Sequence, residues 1–165
     1  MIAVFYELLQ KERNDMLVRG KPFMESSRDM TVVYIFGPTG CGKTRSLWEK
    51  YGSGMHRVTD YTHPFDGYHG EDILVFDNFD SDCCDARTMY KYLSGSPLLL
   101  SARDYNRIAC YTTVFLVSLH PLEKQYTKDE IDQEEIFRKI DHVIEFSENG
   151  EYKDWGSAAE YLNRR

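Results

Sequence analysis

The chain has 165 residues, of which 20 are Lys or Arg and 27 are Asp or Glu, giving a net charge of −7. That length suits one domain with a core of its own and is too short for two. The acidity disfavours a protein that wraps duplex DNA with its whole surface, and 12 Tyr, 9 Phe and 2 Trp exclude a disordered chain.

Apolar side chains at Phe5, Leu8, Leu9 and Met16 fall on one face of a helix over 3–18, which Gly20, Lys21 and Pro22 end. The opening MIAVFYELLQKERND lacks the basic flank and cleavage site of a signal peptide. From Thr31 the pattern becomes a continuous β-rich run, TVVYIF, followed by a glycine-rich turn. KTRSLWEKY at 43–51 reads as a helix stopped by Gly52 and Gly54, and HRVTD at 56–60 as a short strand. THPFDGYHGED at 62–72 has the Pro, Gly and Asp density of a loop. ILVFD at 73–77 predicts a strand buried on both faces, and DARTMYKYL at 85–93 a helix.

SPLLLSA and RIACYT predict a hairpin turning around Arg103–Asn106, and VFLVS a third buried strand ended by Pro121. QEEIFRKI reads as a helix, DHVIEFS as a strand before an Asn149–Gly150 turn, and SAAEYLNR as a last helix. Strands alternating with helices predict an α/β layer structure with a mainly parallel central sheet. No run approaches the roughly 20 apolar residues of a membrane span. The four cysteines, at 41, 83, 84 and 110, have neither CxxC nor disulfide-scaffold spacing, so free thiols and an intracellular location are expected.

GPTGCGKT at 37–44 fits G-x-x-x-x-G-K-[ST], directly after a buried strand and at the start of a helix. Gly37, Gly40 and Gly42 allow backbone conformations that a side chain would obstruct, so successive amides can point at one phosphate. The variable positions Pro38, Thr39 and Cys41 complete the loop. Cys41 reads as a small residue that fits there, not as a catalytic thiol. The helix N-terminus adds positive potential. Lys43 is expected to reach the β- and γ-phosphates of ATP, and the Thr44 hydroxyl to hold Mg²⁺. A glycine-rich turn followed by a chance Lys-Thr is the weaker reading, because sequence and context agree.

A nucleotide-bound Mg²⁺ calls for an acid at the tip of a neighbouring strand, and Asp77, ending ILVFD, supplies it in the Walker B form. The next residue, which usually polarises the attacking water, is Asn78; its carbonyl can orient a water but is a far poorer base than a carboxylate. Asp80 is a nearby carboxylate, read first as a solvated turn acid.

Three segments together resemble the superfamily 3 helicase domain of replication initiator (Rep) proteins of circular single-stranded DNA viruses, plasmids and related integrated elements. They are YIFGPTGCGKTRS with VTDYTHPFDGYHGEDILVFDNF, then YLSGSPLLLSARDYNRIACYTTVFLVS, then HPLEKQY with EEIFRKIDHVIEF. The resemblance covers roughly 31–147. It implies a P-loop NTPase (AAA+-like) three-layer sandwich preceded by a helical, oligomerising segment over 1–30 and followed by a hairpin and helix over 148–165. It also implies ATP and Mg²⁺ as ligands, single-stranded DNA as partner (RNA remaining open), a homo-oligomeric ring, no membrane, and the cytoplasm or a host nucleus as location.

On the resemblance, Arg103 is the basic hairpin residue that touches single-stranded nucleic acid, with Arg107 and Tyr105 beside it, Tyr105 by stacking on a base. Arg138 matches an arginine finger reaching the neighbouring subunit's γ-phosphate. The plainer alternatives are a solvated hairpin tip for Arg103 and Arg107, and a helix-surface pair with Glu134 or Glu135 for Arg138. Two positions depart from the family pattern. Ser118–Leu119 stands where Ser-Asn is usual, and Asn78 where an acid is usual; the Asn that senses the γ-phosphate is missing unless Ser118 or His120 substitutes for it. Neither a His-hydrophobe-His pair nor a Tyr-x-x-Lys nucleophile is present, so the family's nicking domain is not expected here.

The leading expectation is an ATP-hydrolysing motor on single-stranded DNA. A hydrolysis-impaired, ATP-dependent assembly module is the alternative, ahead of a small P-loop kinase, whose arginine-rich lid would have only FRK at 137–139 to represent it. Charge does not oppose local binding. Between 85 and 112 there are 4 basic and 2 acidic residues, whereas 123–165 holds 12 acidic against 7 basic.

Overall fold

The computed structural model describes residues 27–164. The helix expected over 3–18 lies outside them, as does nearly all of the oligomerising segment expected over 1–30. The described chain builds β1 (Thr31–Phe36), α1 (Lys43–Tyr51), β2 (Met55–Val58), β3 (Ile73–Phe76), α2 (Ala86–Leu93), β4 (Leu99–Leu100) and β5 (Arg107–Ile108). It continues with β6 (Thr113–Ser118), α3 (Glu130–Arg138), β7 (His142–Phe146), β8 (Tyr152–Asp154) and α4 (Ala158–Leu162). The order in the central six-stranded sheet is β2-β3-β6-β1-β7-β8. All its pairings are parallel except that of β7 with β8, so the protein is α/β with a mainly parallel sheet.

The apolar runs account for this arrangement. β1, β3 and β6 occupy the middle of the sheet and are covered on both faces, which is why TVVYIF, ILVF and TVFLVS carry almost no polar residue. On one face Tyr34, Phe36, Leu74, Phe76, Val114 and Leu116 meet Met89 and Leu93 of α2, Ile136 and Phe137 of α3, and Tyr161 of α4. On the other face Val33, Ile35, Val75, Phe115 and Val117 meet Leu47 of α1. Each fully buried Leu, Phe or Val contributes about 1.5–3 kcal/mol, so the sheet's middle dominates the stability of the fold. Helix starts follow side-chain chemistry: Asp85 accepts the Thr88 amide at 2.9 Å, Asp129 caps α3, and Ser157 with Glu160 forms a capping box.

Two differences from expectation bear on the surroundings of the sheet edge. β2 ends at Val58, before Thr59 and Asp60, because the Asp60 carboxylate accepts the amides of Thr62 (2.9 Å) and His63 (3.3 Å) and turns the chain. The expected hairpin forms with Leu99 opposite Ile108 and Leu100 opposite Arg107, but only two residues per strand are paired. It stands apart from the main sheet. Parallel register puts Phe36 opposite Ser118, and Phe76 opposite Leu116, so the segments leaving β1, β3 and β6 gather at one edge. Ligands of open α/β sheets bind at such carboxyl ends.

Candidate functional site

The segment 37–42 wraps the end of β1 with three glycines at positive φ: Gly37 (153°), Gly40 (76°) and Gly42 (94°). A Cβ on Gly37 would lie 2.5 Å from the Phe146 carbonyl oxygen, so this position admits no side chain. Gly42 is the N-cap of α1, and its left-handed backbone feeds the chain straight into the helix at Lys43. The buried Lys43 ammonium folds back into the loop and donates to the carbonyls of Gly37 and Pro38, both at 2.7 Å, with the Cys41 sulfur at 3.6 Å. A charged amine is thus held under a ring of backbone at a helix N-terminus, an arrangement suited to an anion.

Asp77, the first residue past β3, is buried. Its Oδ1 accepts the Thr44 hydroxyl at 2.8 Å and the Asn78 amide at 3.0 Å. Its Oδ2 accepts Nε of Arg57 at 2.7 Å and a second nitrogen of the same guanidinium. Its carbonyl takes the Tyr61 hydroxyl at 2.7 Å, and the Tyr61 ring stacks on Phe76. Burial, then the nearby Cys83 and Asp77, pushes the Tyr61 phenol well above its usual pKa, so it stays a donor. Arg57 is the residue the sequence did not reveal. It stands opposite Val75 in the β2–β3 ladder, and that register alone carries its side chain to Asp77.

Around this pair lies a cavity of about 310 Å³ lined by Lys43, Thr44, Asp77, Asn78, Ser118 and Leu119, among others. Of GPTGCGKT, Thr39, Gly40, Gly42, Lys43 and Thr44 line it. Asn78 has φ 48°, a left-handed conformation that Asn tolerates better than most residues. Leu119 is 48% exposed at the cavity wall.

Both candidate substitutes for the missing Asn already have partners. The Ser118 hydroxyl is buried, accepting the Gln125 amide nitrogen at 3.0 Å and the His120 backbone amide at 3.1 Å. His120 turns its ring to Asp80, 3.6 Å away. Asp80 itself lines a separate acidic groove of about 720 Å³ with Asp82, Asp85, Asp129 and Asp132. Gln125 is a second residue missed from sequence. Buried, it donates to Tyr34 and Ser118 and accepts the Ser81 amide, tying β1, β6 and the segment after β3 together. The Tyr34 hydroxyl in this network has its pKa pushed up to about 12, by burial first.

The hairpin residues separate. Arg103 is exposed and bound to Asp66 through its backbone amide (3.0 Å) and its guanidinium. Those two contacts, the backbone one first, hold the Asp66 carboxyl below its usual pKa. Arg107, expected beside Arg103 at the tip, is instead 2% exposed. It donates to the carbonyls of Tyr68 (2.8 Å), Tyr105 (2.8 Å) and Asp66 (3.1 Å) and covers one face of the Tyr105 ring at 3.7 Å. Its burial corrects both expectations for it, a nucleic-acid contact and a solvated tip: Arg107 is an internal brace. Two-residue strands leave the inward or outward sense of alternate residues unreadable from sequence. Tyr105 keeps a half-exposed ring. Arg138 lies on the outer surface of α3, paired with Glu134 at 3.5 Å and away from this cavity.

No protein-family model matches the chain. Over 112 residues it is 29% identical to the replication-associated protein of Beak and feather disease virus, a stretch covering 66% of this chain and 36% of that protein. The chain thus spans about a third of the viral relative. The similarity supports a distant relationship to a replication-associated protein. No helix of the described residues is long and apolar enough to cross a membrane.

Proposed function

We propose that the chain is an ATP-binding P-loop domain related to the superfamily 3 helicase portion of replication initiators, acting on single-stranded DNA as a ring-forming oligomer. The observation that carries this reading is the juxtaposition at the sheet edge: three positive-φ glycines around Lys43, and Thr44 Oγ1 2.8 Å from Asp77 Oδ1. The donor set fits Mg²⁺, which proteins usually hold by one or two carboxylates while phosphates and waters complete the octahedron. Thr44 and Asp77 would hold the ion, which supplies neutralisation of phosphate charge. Lys43 would exchange its loop carbonyls for phosphate oxygens, and Arg57 would have to leave Asp77 Oδ2.

The exposed Arg103 and the free face of Tyr105 are the groups this reading offers to a DNA strand. Arg138 fits only a role in a neighbouring subunit, as its surface position allows. The test is ATP binding and hydrolysis with and without single-stranded DNA, with mass measured in both states. Lys43→Ala should abolish ATP binding; ATP affinity unchanged by it would overturn the reading.

A second reading is favoured by Asn78, Leu119 and the engaged Ser118 hydroxyl. All three lie on the side where water would attack, so the domain binds ATP and assembles while turning it over poorly. Asn78→Asp combined with Leu119→Asn should then raise turnover at least 10-fold, about 1.4 kcal/mol of barrier. No gain would return the choice to a working motor.

A further inference from the structure

We propose that the groove between α1 and the β7–β8 hairpin receives the base of the bound nucleotide, with Tyr152 as its stacking platform. This rests on the phosphate-binding reading of 37–44. The groove holds about 360 Å³, and Tyr51, Phe115, Phe146 and Tyr152 give its wall four aromatic rings, with Arg45, Glu49 and Lys50 also lining it. Its rim includes Gly42 and Arg45, and both residues also line the cavity that contains Lys43, Thr44 and Asp77. The two spaces therefore adjoin at the N-terminus of α1.

That adjacency sets the direction of a nucleotide. Asp77, Asn78 and Leu119 line the first cavity and not the groove, and a terminal phosphate and its metal belong beside them. The other end of the ligand must leave past Gly42 and Arg45, and the space it enters is the aromatic groove. A charged, backbone-lined space beside a groove with four aromatic rings matches the two halves of a nucleoside triphosphate.

Tyr152 is built to receive a ring. It is 68% exposed, yet one of its faces stacks on Phe146 with centroids 5.5 Å apart. The pair stands opposite in the β7–β8 register. The turn between them is closed by the Ser147 amide donating to Glu151 O at 2.8 Å and the Gly150 amide to Ser147 O at 3.0 Å. The hairpin is also seated on the 37–44 loop: there is no room for a side chain between Gly37 and the Phe146 carbonyl, and a Cβ on Gly150 would be in ordinary contact with the Cys41 carbonyl. The distance from phosphate loop to platform is thus fixed before any ligand arrives, which lowers the cost of binding. Stacking accepts any base, since every base presents a π-face.

The experiment compares calorimetric affinities, with Mg²⁺ present, of the full chain for ATP and for inorganic triphosphate, which has phosphates and no base. Tyr152→Ala should weaken ATP by roughly 5- to 150-fold, the range of base–aromatic stacking, and leave triphosphate unchanged. Tyr152→Phe should restore ATP affinity. An unchanged ATP affinity in Tyr152→Ala would overturn the base site, as would an equal loss for ATP and triphosphate, which signals a distorted phosphate loop. Lys43→Ala separates the two ideas. If it removes binding of both ligands, the phosphate reading stands whatever Tyr152 does; if it removes neither, the failure is of that reading.

Discussion

Arg57 gives the sharpest test of how the site is held before a ligand arrives. Its guanidinium places two nitrogens on Asp77 Oδ2, while its own side chain is 47% exposed. Removing one partner of a buried ion pair costs about 3–5 kcal/mol, because the other charge is left without compensation. Half the guanidinium already faces water, and Asp77 keeps the Thr44 hydroxyl and the Asn78 amide, so the expected cost of Arg57→Ala falls to about 1–3 kcal/mol. For a chain of this size each kcal/mol moves Tm by about 2–4 °C, which places the loss at roughly 3–10 °C. Magnesium should then discriminate. In the native chain it must displace Arg57; in the variant the carboxylate is open, and an ion at 10 times its Kd returns about 1.4 kcal/mol. Thermal melts of both proteins, without and with Mg²⁺, read the difference directly. Equal melting temperatures without the ion, or equal magnesium shifts in the two proteins, would refute the reasoning.

Two further expectations concern the frame around the site. Arg107→Ala should cost about 2–5 kcal/mol in urea unfolding, since it strips a buried cation from three carbonyls, and Lys should not restore it because the planar fork is lost. Arg103→Ala, at an exposed ion pair, should cost under about 1 kcal/mol. A protein in which the two behave alike would contradict the assignment of brace and tip. Burial first, offset in part by the Pro64 carbonyl and Glu71, holds the His56 pKa below its ordinary 6.5. The unfolded imidazole then takes up a proton that the folded one refuses, so stability should decline as pH falls from about 6.5 through the lower folded value. Between pH 7.5 and 5.5 the native chain should lose more stability than His56→Gln; parallel curves would show that His56 does not contribute.

What was legible in the sequence follows from the range of each interaction. The run GPTGCGKT specifies backbone by residue type within eight positions, and β1, β3 and β6 declare themselves because strands covered on both faces must be apolar throughout. Arg57 and Gln125 reach their partners across 20 and 7–91 positions. Their roles depend on which strands lie side by side and in what register, information that no single segment contains. The ends of elements suffered for a smaller reason: one Asx turn at Asp60 shortened β2 although Thr59 favours strand conformation.

The division within the site has a structural meaning as well. The side formed by the glycine-rich loop is constrained: Gly37 cannot carry a side chain, Lys43 has carbonyl partners, and both carboxylate oxygens of Asp77 have donors. The opposite wall is not. Leu119 is half exposed and supports nothing in the core, and the conformation at Asn78 would accept Asp nearly as well. Stability therefore gives no reason for either residue, and an explanation has to come from chemistry at the cavity. The surface charge agrees with a local reading of function. Five aspartates collect in the groove beside His120, while Arg103 stands on the separate β4–β5 hairpin. A net charge of −7 thus does not describe every part of the surface, and under the proposed reading the exposed Arg103 is the cation offered to a nucleic-acid strand.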